Sequence, residues 1–297
     1  MGPEERRRNG TGPRRVRRPA RLDRALGALS WASALLVAIA FAWIAGDLLA
    51  GGWERLSADF LWAAPRDAGR GGGVGPMLAA TVWILAVCVG AAAPVGLGTA
   101  VLLAEITVED GPLARAVRAS LDVLAGVPSI VFGLFGNAFF CQVLGLGFSV
   151  LSGGLTLACM VLPLLIRFAE EGLRAIPPEQ RRAAAALGLS RATTLRWVLL
   201  PAAAPALAAG LALGVGRAMA ETAALLFTSG SVDRAPRSAF DAGRALSVHV
   251  YELAANVPGG EASARATALV LLALVSLANL GAAALGLRWL RARRSFS

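Results

Sequence analysis

The chain has 297 residues, of which 56% are hydrophobic and only 16% charged, and its mean hydropathy is +0.63. A soluble domain carries about 25% charged residues, so the composition excludes an ordinary water-soluble protein and predicts an integral membrane protein. The net charge of +10 comes from arginine alone. Without lysine the chain has no GxxxxGK[ST] nucleotide-binding loop.

Metal and cofactor sites are not expected from the sequence. His249 is the single histidine, which excludes multi-histidine zinc sites. Cys88, Cys141 and Cys159 lie far apart inside apolar runs, which predicts buried thiols and neither a disulfide framework nor a CxxC site. We therefore expect no metal and no cofactor.

Uncharged runs locate the transmembrane helices, because a charge at mid-membrane costs about 2.5–3.5 kcal/mol on insertion scales. A bilayer-spanning helix needs about 20 residues. The run 123–166 is 44 residues long and is interpreted as two helices joined by a hairpin at Gly145–Gly147. We predict an all-α, polytopic membrane protein with six transmembrane helices at about 25–48, 75–104, 119–144, 149–170, 201–228 and 265–287.

The arginines indicate the orientation of these helices, since cytoplasmic loops are enriched in basic residues. The tail 1–24 holds nine arginines, and placing it in the cytoplasm puts 21 arginines inside and seven outside. We expect both termini in the cytoplasm, the tail 1–24 disordered, and both tails, 1–24 and 288–297, held at anionic membrane lipid. This distribution explains the basic charge without a nucleic-acid partner, and it predicts a multi-pass protein of the inner (plasma) membrane.

Two loops are expected on the external side. Trp53 and Trp62 in the loop 51–74 are typical of a membrane interface. In the loop 229–264, residues 239–255 have helix-like apolar spacing, and His249 and Tyr251 within them are expected to have structural or interfacial roles.

The cytoplasmic segment 171–200 is the most informative part of the chain. It contains a short Ala-rich helix after Pro178, a turn at Gly188, and a second amphipathic turn before Leu200-Pro201 begins the next span. A structured loop of this length is rarely needed for the stability of a six-span protein. The segment therefore predicts a docking surface for a cytoplasmic partner.

The spacing in this segment resembles a known motif. Nine residues separate Gly188 from Val198, and Leu200-Pro201 follows. This is similar to the coupling motif of ABC importer permeases, in which a glutamate and two alanines precede the glycine. Ala183 and Ala184 occupy the alanine positions, and Arg182 stands where the family has glutamate.

Three further stretches narrow the resemblance to one family. They are LAGVPSIVFGLFG (124–136), LPLLIRFAEEGLRAIPPEQR (162–181) and GVGRAMAETAALLFTSG (214–230). All three are similar to motifs of the phosphate importer permeases, and the LLFT stretch resembles the PstA-type subunit in particular. The third differs at Ala220, where the family usually has glycine, and at Ala224, where it has proline.

The resemblance implies an architecture, partners and a set of coupling residues. It covers about 74–287 and implies a MetI-like ABC permease domain there, with the coupling loop 171–200, preceded by a first transmembrane helix at 25–50. The implied partners are a homologous PstC-type permease subunit, a cytoplasmic ATPase dimer that hydrolyses ATP in place of this chain, and an extracytoplasmic phosphate-binding protein. The residues implied in ATPase coupling are Arg182, Ala183, Ala184, Gly188, Leu200 and Pro201.

Arg217 and Glu221 are charged residues inside the predicted fifth span. Four positions apart, they are expected to share one helix face, about 6 Å apart along the axis. Either they form a structural ion pair between helices, or they line the substrate path, where the guanidinium would bind a tetrahedral oxyanion. With the resemblance, we expect the second role. Thr222 and Ser129 are candidate path residues, although a helix-packing role for Thr222 and a proline kink at Pro128-Ser129 are open alternatives.

Three other functions are alternatives to phosphate import. A permease for another oxyanion, such as molybdate, tungstate or sulfate, fits the same charges. An intramembrane enzyme would need a histidine or paired carboxylates in the spans, and Glu221 is the only carboxylate expected at mid-span. A scaffold or sensor subunit would keep the docking loop without needing Arg217.

Overall fold

The computed structural model describes residues 20–108 and 111–294, so the disorder expected for residues 1–19 lies outside the described residues. The described chain is mostly helical. Its helices and strands are α1 (Ala20–Gly52), α2 (Ala58–Trp62), β1 (Pro65–Arg66), β2 (Gly71–Gly72), α3 (Gly75–Val101), α4 (Pro112–Gly126), α5 (Ser129–Gly136), α6 (Val150–Arg174), α7 (Pro178–Ala186), α8 (Arg191–Thr194), α9 (Leu200–Met219), α10 (Ala223–Leu226), α11 (Leu246–Ala255) and α12 (Glu261–Arg294).

Short irregular elements extend or join these helices. The π-helical segments Leu102–Ile106 and Asn137–Val143 continue α3 and α5, and Leu195–Leu199 joins α8 to α9. The strands β1 and β2 form a small antiparallel hairpin in the loop before α3. The chain divides into two compact units, Met1–Asp47 and Leu48–Ser297, and the described part of the first is α1 up to Asp47.

The prediction of an all-α, multi-pass membrane protein is confirmed. Within the described residues five helices are long and apolar enough to cross a bilayer, and α4 with α5 gives a sixth span when this bent pair is counted as one. The helix ends differ from the prediction at both termini. Helix α1 begins at Ala20, inside the predicted tail 1–24, and α12 continues to Arg294, through most of the predicted tail 288–297.

The predicted third span, 119–144, is wrong as a continuous helix. Helix α4 ends at Gly126 and α5 begins at Ser129, and the two axes meet at 101°. The physical cause is Pro128, which has no N–H to donate and disfavours helical geometry at the residue before it. Val127 and Pro128 are accordingly both extended, with ψ of 130° and 144°.

The predicted fifth span, 201–228, is wrong at its C-terminal end. Helix α9 stops at Met219, and after an irregular stretch the chain forms only the short helix α10. Local bonds favour this break: Ser247 Oγ donates to the carbonyl of Glu221 at 2.6 Å, and the Glu221 carboxylate accepts from the N–H of Ala224 at 3.3 Å. Side chains that bond the backbone in this way offer it an alternative to helix.

Helix α6 is the centre of the core. It packs against α3 and α9, and most of its residues are buried. Small residues allow close approach, as at Gly154 against Val87 and at Gly210 against Phe168. Such contacts are how helices associate in lipid, where the hydrophobic effect gives no driving force between them.

The segment 223–229 fills the space between α5 and α6. It contacts glycine on both sides, Gly133 of α5 and Gly153 of α6. The hydroxyls of Thr228 and Ser229 are fully buried and donate to the carbonyls four residues earlier, at 2.8 and 3.1 Å. This irregular backbone is tolerated at membrane depth because protein surrounds it.

The segment that the sequence predicts to be external and helical over 239–255 forms a helix only from Leu246. The residues before it bind the start of α6 instead. The carbonyls of Ala239 and Asp241 accept hydrogen bonds from the N–H groups of Leu151 and Val150, respectively. Those N–H groups have no partner inside their own helix, so this loop caps the start of α6.

The expected structural role of His249 is consistent with its burial in α11, where only 2% of the residue is exposed. Its Nδ1 lies 3.4 Å from Nη1 of Arg244, which also pairs with Asp233 at 2.6 Å. Burial first, and then the Arg244 charge, lowers the His249 pKa from its ordinary value of 6.5 to about 4, against the smaller opposing effects of Asp233 and Glu252. The folded protein therefore holds this imidazole neutral at neutral pH.

Acidification is predicted to destabilise the region around α11 through His249. Because its folded pKa lies below 6.5, its contribution to stability is complete above pH 6.5 and is lost as the pH falls toward about 4. We expect His249→Gln to have a melting temperature that falls less steeply between pH 7 and pH 4.5 than that of the wild type. Parallel slopes in thermal unfolding of the two detergent-purified proteins would contradict this prediction.

The close contact of α6 with α3 gives a second prediction. A Cβ at position 154 would lie 2.5 Å from Val87 Cβ, so we expect Gly154→Val to destabilise the protein by about 1–3 kcal/mol through overpacking. The measurement is the melting temperature of the purified protein. Gly90→Val in α3 is the control, because a Cβ at Gly90 meets nothing within 4 Å. Equal melting temperatures for the two variants would rule out the tight α3–α6 contact.

Candidate functional site

A cavity of about 170 Å³ lies where α4, α5, α6 and α9 meet. We call it the inner cavity. Most of its wall is apolar, and the charged residues that line it are Arg167 of α6 and Arg217 of α9. The wall consists of Leu124, Ala125, Val127, Phe132, Met160, Pro163, Leu164, Arg167 and Arg217.

Arg217 stands in the last turn of α9 and is exposed on the chain. Across residues 20–108 and 111–294, its guanidinium has no ion pair or hydrogen bond within this chain. A cation in this turn is favoured by the partial negative charge of the helix C-terminus. The group is therefore held at the cavity by the end of a membrane helix and keeps its hydrogen-bond donors available.

The prediction that Arg217 and Glu221 share one helix face is wrong. Glu221 lies beyond the end of α9. It is half-buried, and its carboxylate accepts a hydrogen bond from the N–H of Ala224. The two residues do not form an ion pair in the described chain, so Glu221 caps the turn after α9 and does not hold the Arg217 side chain.

The other two predicted path residues are not part of the inner cavity wall. Ser129 is the half-buried first residue of α5, between the wall residues Val127 and Phe132. Thr222 is the residue before α10, and its side chain does not cap that helix. The structure thus brings only Arg217, of the four predicted path residues, to the cavity wall.

Arg167 borders two cavities. Besides the inner cavity, it lines a larger one of about 550 Å³, here called the polar cavity, and it pairs there with Asp122 of α4. The polar cavity is lined by Arg118, Leu121, Asp122, Arg167, Glu170, Glu171 and Arg174. Arg167 therefore stands between an apolar chamber that contains Arg217 and a charged one.

Glu170 organises the polar cavity. It is only 8% exposed, and its Oε1 accepts from Arg118 Nη2 at 2.8 Å and from Arg174 Nε at 3.0 Å. Arg174 also donates to the carbonyl of Leu103 at 3.1 Å. A buried carboxylate needs such partners, and these bonds tie α4, α6 and the end of α3 together.

The predicted coupling loop forms two short helices separated by a sharp turn. Gly188 adopts φ of +72°, and the N–H groups of Gly188 and Leu189 donate to the carbonyls of Ala185 and Ala184 at the end of α7. This is the Schellman arrangement, in which glycine is favoured because the conformation is left-handed. Ser190 then caps α8 by accepting from the N–H of Thr193.

The residues predicted for ATPase coupling divide into two groups. Arg182, Ala183 and Gly188 are exposed, as is Leu187, with 78% of its surface accessible. Ala184, at 4% exposure, faces the protein, and Leu200 and Pro201 are half-buried at the start of α9. The structure therefore presents Arg182, Ala183 and Leu187 together at the surface, and we call these three the α7 surface.

Sequence reasoning missed the contacts of Arg181. Its guanidinium binds both carboxylate oxygens of Glu105 and the carbonyls of Leu173 and Ile176. For Arg167, near the cytoplasmic end of the predicted fourth span, the sequence favours membrane anchoring and leaves a role at the inner lip of an anion path as the alternative; the structure places Arg167 in the cavity wall. A signal for Arg167 existed in its position inside an apolar helix, whereas nothing in the sequence linked Arg181 to Glu105 across 76 positions.

Comparisons with known proteins agree on one family. The family described as binding-protein-dependent transport system inner membrane component matches residues 92–291. Among relatives, the probable ABC transporter permease protein YqgI of Bacillus subtilis is 31% identical, with 82% of this chain and 86% of the relative covered. The phosphate transport system permease protein PstA 1 of Mycobacterium tuberculosis is 32% identical, with coverage of 88% and 86%.

A solved structure shares the fold. The inward-facing MetNI methionine ABC transporter has a chain that superposes with a TM-score of 0.58 at 19% identity, covering 79% of this chain and 99% of that one. At this identity the likeness shows the fold alone. The predicted MetI-like ABC permease fold is confirmed.

Proposed function

Since the chain belongs to the family of binding-protein-dependent transport system inner membrane components, we propose that it is one permease subunit of an ATP-driven importer of inorganic phosphate. The relative from Mycobacterium tuberculosis named as a PstA phosphate permease supports the choice of phosphate. The observation that carries the proposal is the inner cavity, where two guanidiniums face a mostly apolar chamber.

The chemistry of the inner cavity suits an oxyanion. Arginine presents planar, forked donors that match phosphate, and it stays charged at any physiological pH. In apolar surroundings each charge-assisted hydrogen bond is stronger than in water. We assign Arg217 as the principal phosphate ligand and Arg167 as the second, with Ser129, Thr222 and Glu221 placed around the path.

The exposure of Arg217 indicates a second subunit. A guanidinium without a partner in contact with lipid is costly. Arg217 is exposed on this chain and has no ion pair among the described residues. We infer that a homologous, non-identical PstC-type permease covers this face. The translocation pathway then lies between the two subunits, and this chain forms half of it.

The arginine distribution gives the proposed orientation. With the termini in the cytoplasm, the loop with α7 and the polar cavity are cytoplasmic, and the loops around β1–β2 and α11 face the outside. An extracytoplasmic phosphate-binding protein would deliver its ligand to these external loops. The protein is then a multi-pass inner (plasma) membrane subunit.

The α7 surface is the proposed contact with a cytoplasmic ATPase dimer. Leu187 supplies an apolar anchor and Arg182 a charge at its edge. Because α8 runs through Leu195–Leu199 into α9 without interruption, displacement of this loop would move the helix that carries Arg217. The two permease halves would rock about the phosphate site and open it to each side in turn.

Within this cycle Arg167 is placed to receive phosphate on its way to the cytoplasm. Its pairing with Asp122 neutralises it when the path is empty. An arriving anion would exchange partners with Asp122 and pass from the inner to the polar cavity. Glu170, already shared by Arg118 and Arg174, keeps those two cations from trapping the anion.

Removing the Arg217 guanidinium is predicted to lower phosphate uptake strongly. Loss of about two charge-assisted hydrogen bonds should lower ATP-driven uptake about 100-fold in Arg217→Gln, with Arg217→Lys intermediate. The measurement is radiolabelled phosphate uptake into proteoliposomes that contain the whole transporter, with molybdate, tungstate and sulfate as competitors. Uptake of another oxyanion in preference to phosphate would assign a different cargo.

The matched control is Arg115→Gln on α4. Arg115 is exposed and lines neither cavity, so we expect normal uptake from this variant. Normal uptake in Arg217→Gln, with assembly intact in both variants, would remove the phosphate-path assignment.

A branched residue at Gly188 is predicted to reduce coupling. The left-handed conformation of Gly188 disfavours an L-residue by about 1–2 kcal/mol, most of all a β-branched one. In Gly188→Val we expect the α7–α8 turn to distort and the phosphate imported per ATP hydrolysed to fall. Gly188→Asn is the control, because asparagine tolerates this conformation. Equal ratios in the two variants would show that the turn geometry does not matter for coupling.

A further inference from the structure

Arg181 faces the opposite way from its neighbour Arg182 on α7. Arg182 is exposed, whereas the Arg181 side chain is 29% exposed and turned toward the membrane helices. Its Nη2 lies 2.6 Å from Glu105 Oε1, and its Nε lies 3.3 Å from Oε2 of the same carboxylate. The pair is bidentate, and Glu105 is itself only 20% exposed.

The same guanidinium also completes the end of α6. Nη2 donates to the carbonyl of Leu173 at 2.8 Å, and Nη1 donates to that of Ile176 at 2.7 Å. Leu173 lies in the last turn of α6 and Ile176 lies just beyond the end of that helix, where a cation is favoured by the helix dipole. One side chain of α7 is thus bonded to two other elements at once.

The link to Glu105 joins parts of the chain that lie 76 positions apart. Helix α7 follows α6 after a short turn and leads through α8 to α9, but α3 is connected to it only through α4, α5 and α6. Glu105 belongs to Leu102–Ile106, the π-helical end of α3. A displacement of α7 therefore reaches α3 through this ion pair.

We propose that Arg181 is a positioning residue that transmits movement of the α7 surface to α3 and α6, so that these helices move together with α9. The inference rests on the proposed function, since it requires α7 to be driven by an ATPase. It makes the ion pair Arg181–Glu105 part of the coupling between ATP hydrolysis and transport. Covalent continuity through α8 to α9 is then not sufficient for transport.

The test is the number of phosphate ions imported per ATP hydrolysed. The whole transporter, with both permease subunits and the ATPase, is placed in proteoliposomes with the binding protein and radiolabelled phosphate. We expect Arg181→Gln to keep ATPase activity and to lower this ratio about tenfold, the effect of losing one strong charge-assisted interaction. Glu105→Gln should act similarly, and Arg181→Lys, which keeps the charge without the fork, should fall between.

Two further variants separate coupling from simple destabilisation. Glu179→Gln changes a charge on the same helix at an exposed side chain without a described partner, and its ratio should equal that of the wild type. The charge reversal Arg181→Glu with Glu105→Arg should recover part of the ratio lost in either single variant. A merely structural role would lower the amount of assembled transporter while leaving the ratio unchanged.

The outcomes are distinguishable from those for the proposed function. If the wild-type transporter imports phosphate and Arg181→Gln has the wild-type ratio, the Arg181 inference is overturned and the proposed function stands. If the wild-type transporter does not import phosphate with ATP, the proposed function fails and this inference fails with it.

Discussion

A guanidinium at the end of a membrane helix is the constraint on which the site depends. An uncompensated arginine in a bilayer costs about 2.5–3.5 kcal/mol on insertion scales, and Arg217 has no described ion pair in this chain. The charge must therefore face water, an anion or another subunit. A transport pathway between two subunits would supply all three. This agrees with the proposal that a second permease subunit covers Arg217.

Two breaks in the helices make room for that charge. Pro128 divides the third span, and the turn after Met219 ends the fifth, so that α4 ends, α5 begins and α9 ends close to the inner cavity. Broken helices carry unpaired backbone groups and occur at membrane depth only where protein or a cavity surrounds them. The segment 223–229 after the second break is enclosed by α5 and α6, and the hydroxyls of Thr228 and Ser229 donate to carbonyls of the same segment. The same two helix breaks therefore account for both the irregular backbone and the inner cavity.

The sequence alone indicates the membrane class, the six apolar segments and the turn at Gly188, because hydropathy and a left-handed glycine are local properties. It does not indicate the end of α9, since the competing bond to the carbonyl of Glu221 comes from Ser247, which is 26 positions away. The four-residue spacing therefore predicts one helix that carries both Arg217 and Glu221, whereas α9 ends before Glu221. The partner of Arg167 is also remote, on α4. Charges inside apolar runs can be found by reading the sequence, but their partners depend on tertiary packing.

The geometry of the arginine guanidinium explains how several helix ends can move together. A lysine ammonium acts as a point charge, whereas a guanidinium can bridge two acceptors in fixed directions. Arg181 uses this to join α7 to the ends of α3 and α6, and Arg174 joins Glu170 to the Leu103 carbonyl. Glu170 in turn binds Arg118 of α4, the helix whose Asp122 holds Arg167 at the inner cavity. These contacts form a continuous series from α7 to the cavity wall, so a rigid displacement of α7 cannot leave the surroundings of Arg167 unchanged unless one of these ion pairs breaks.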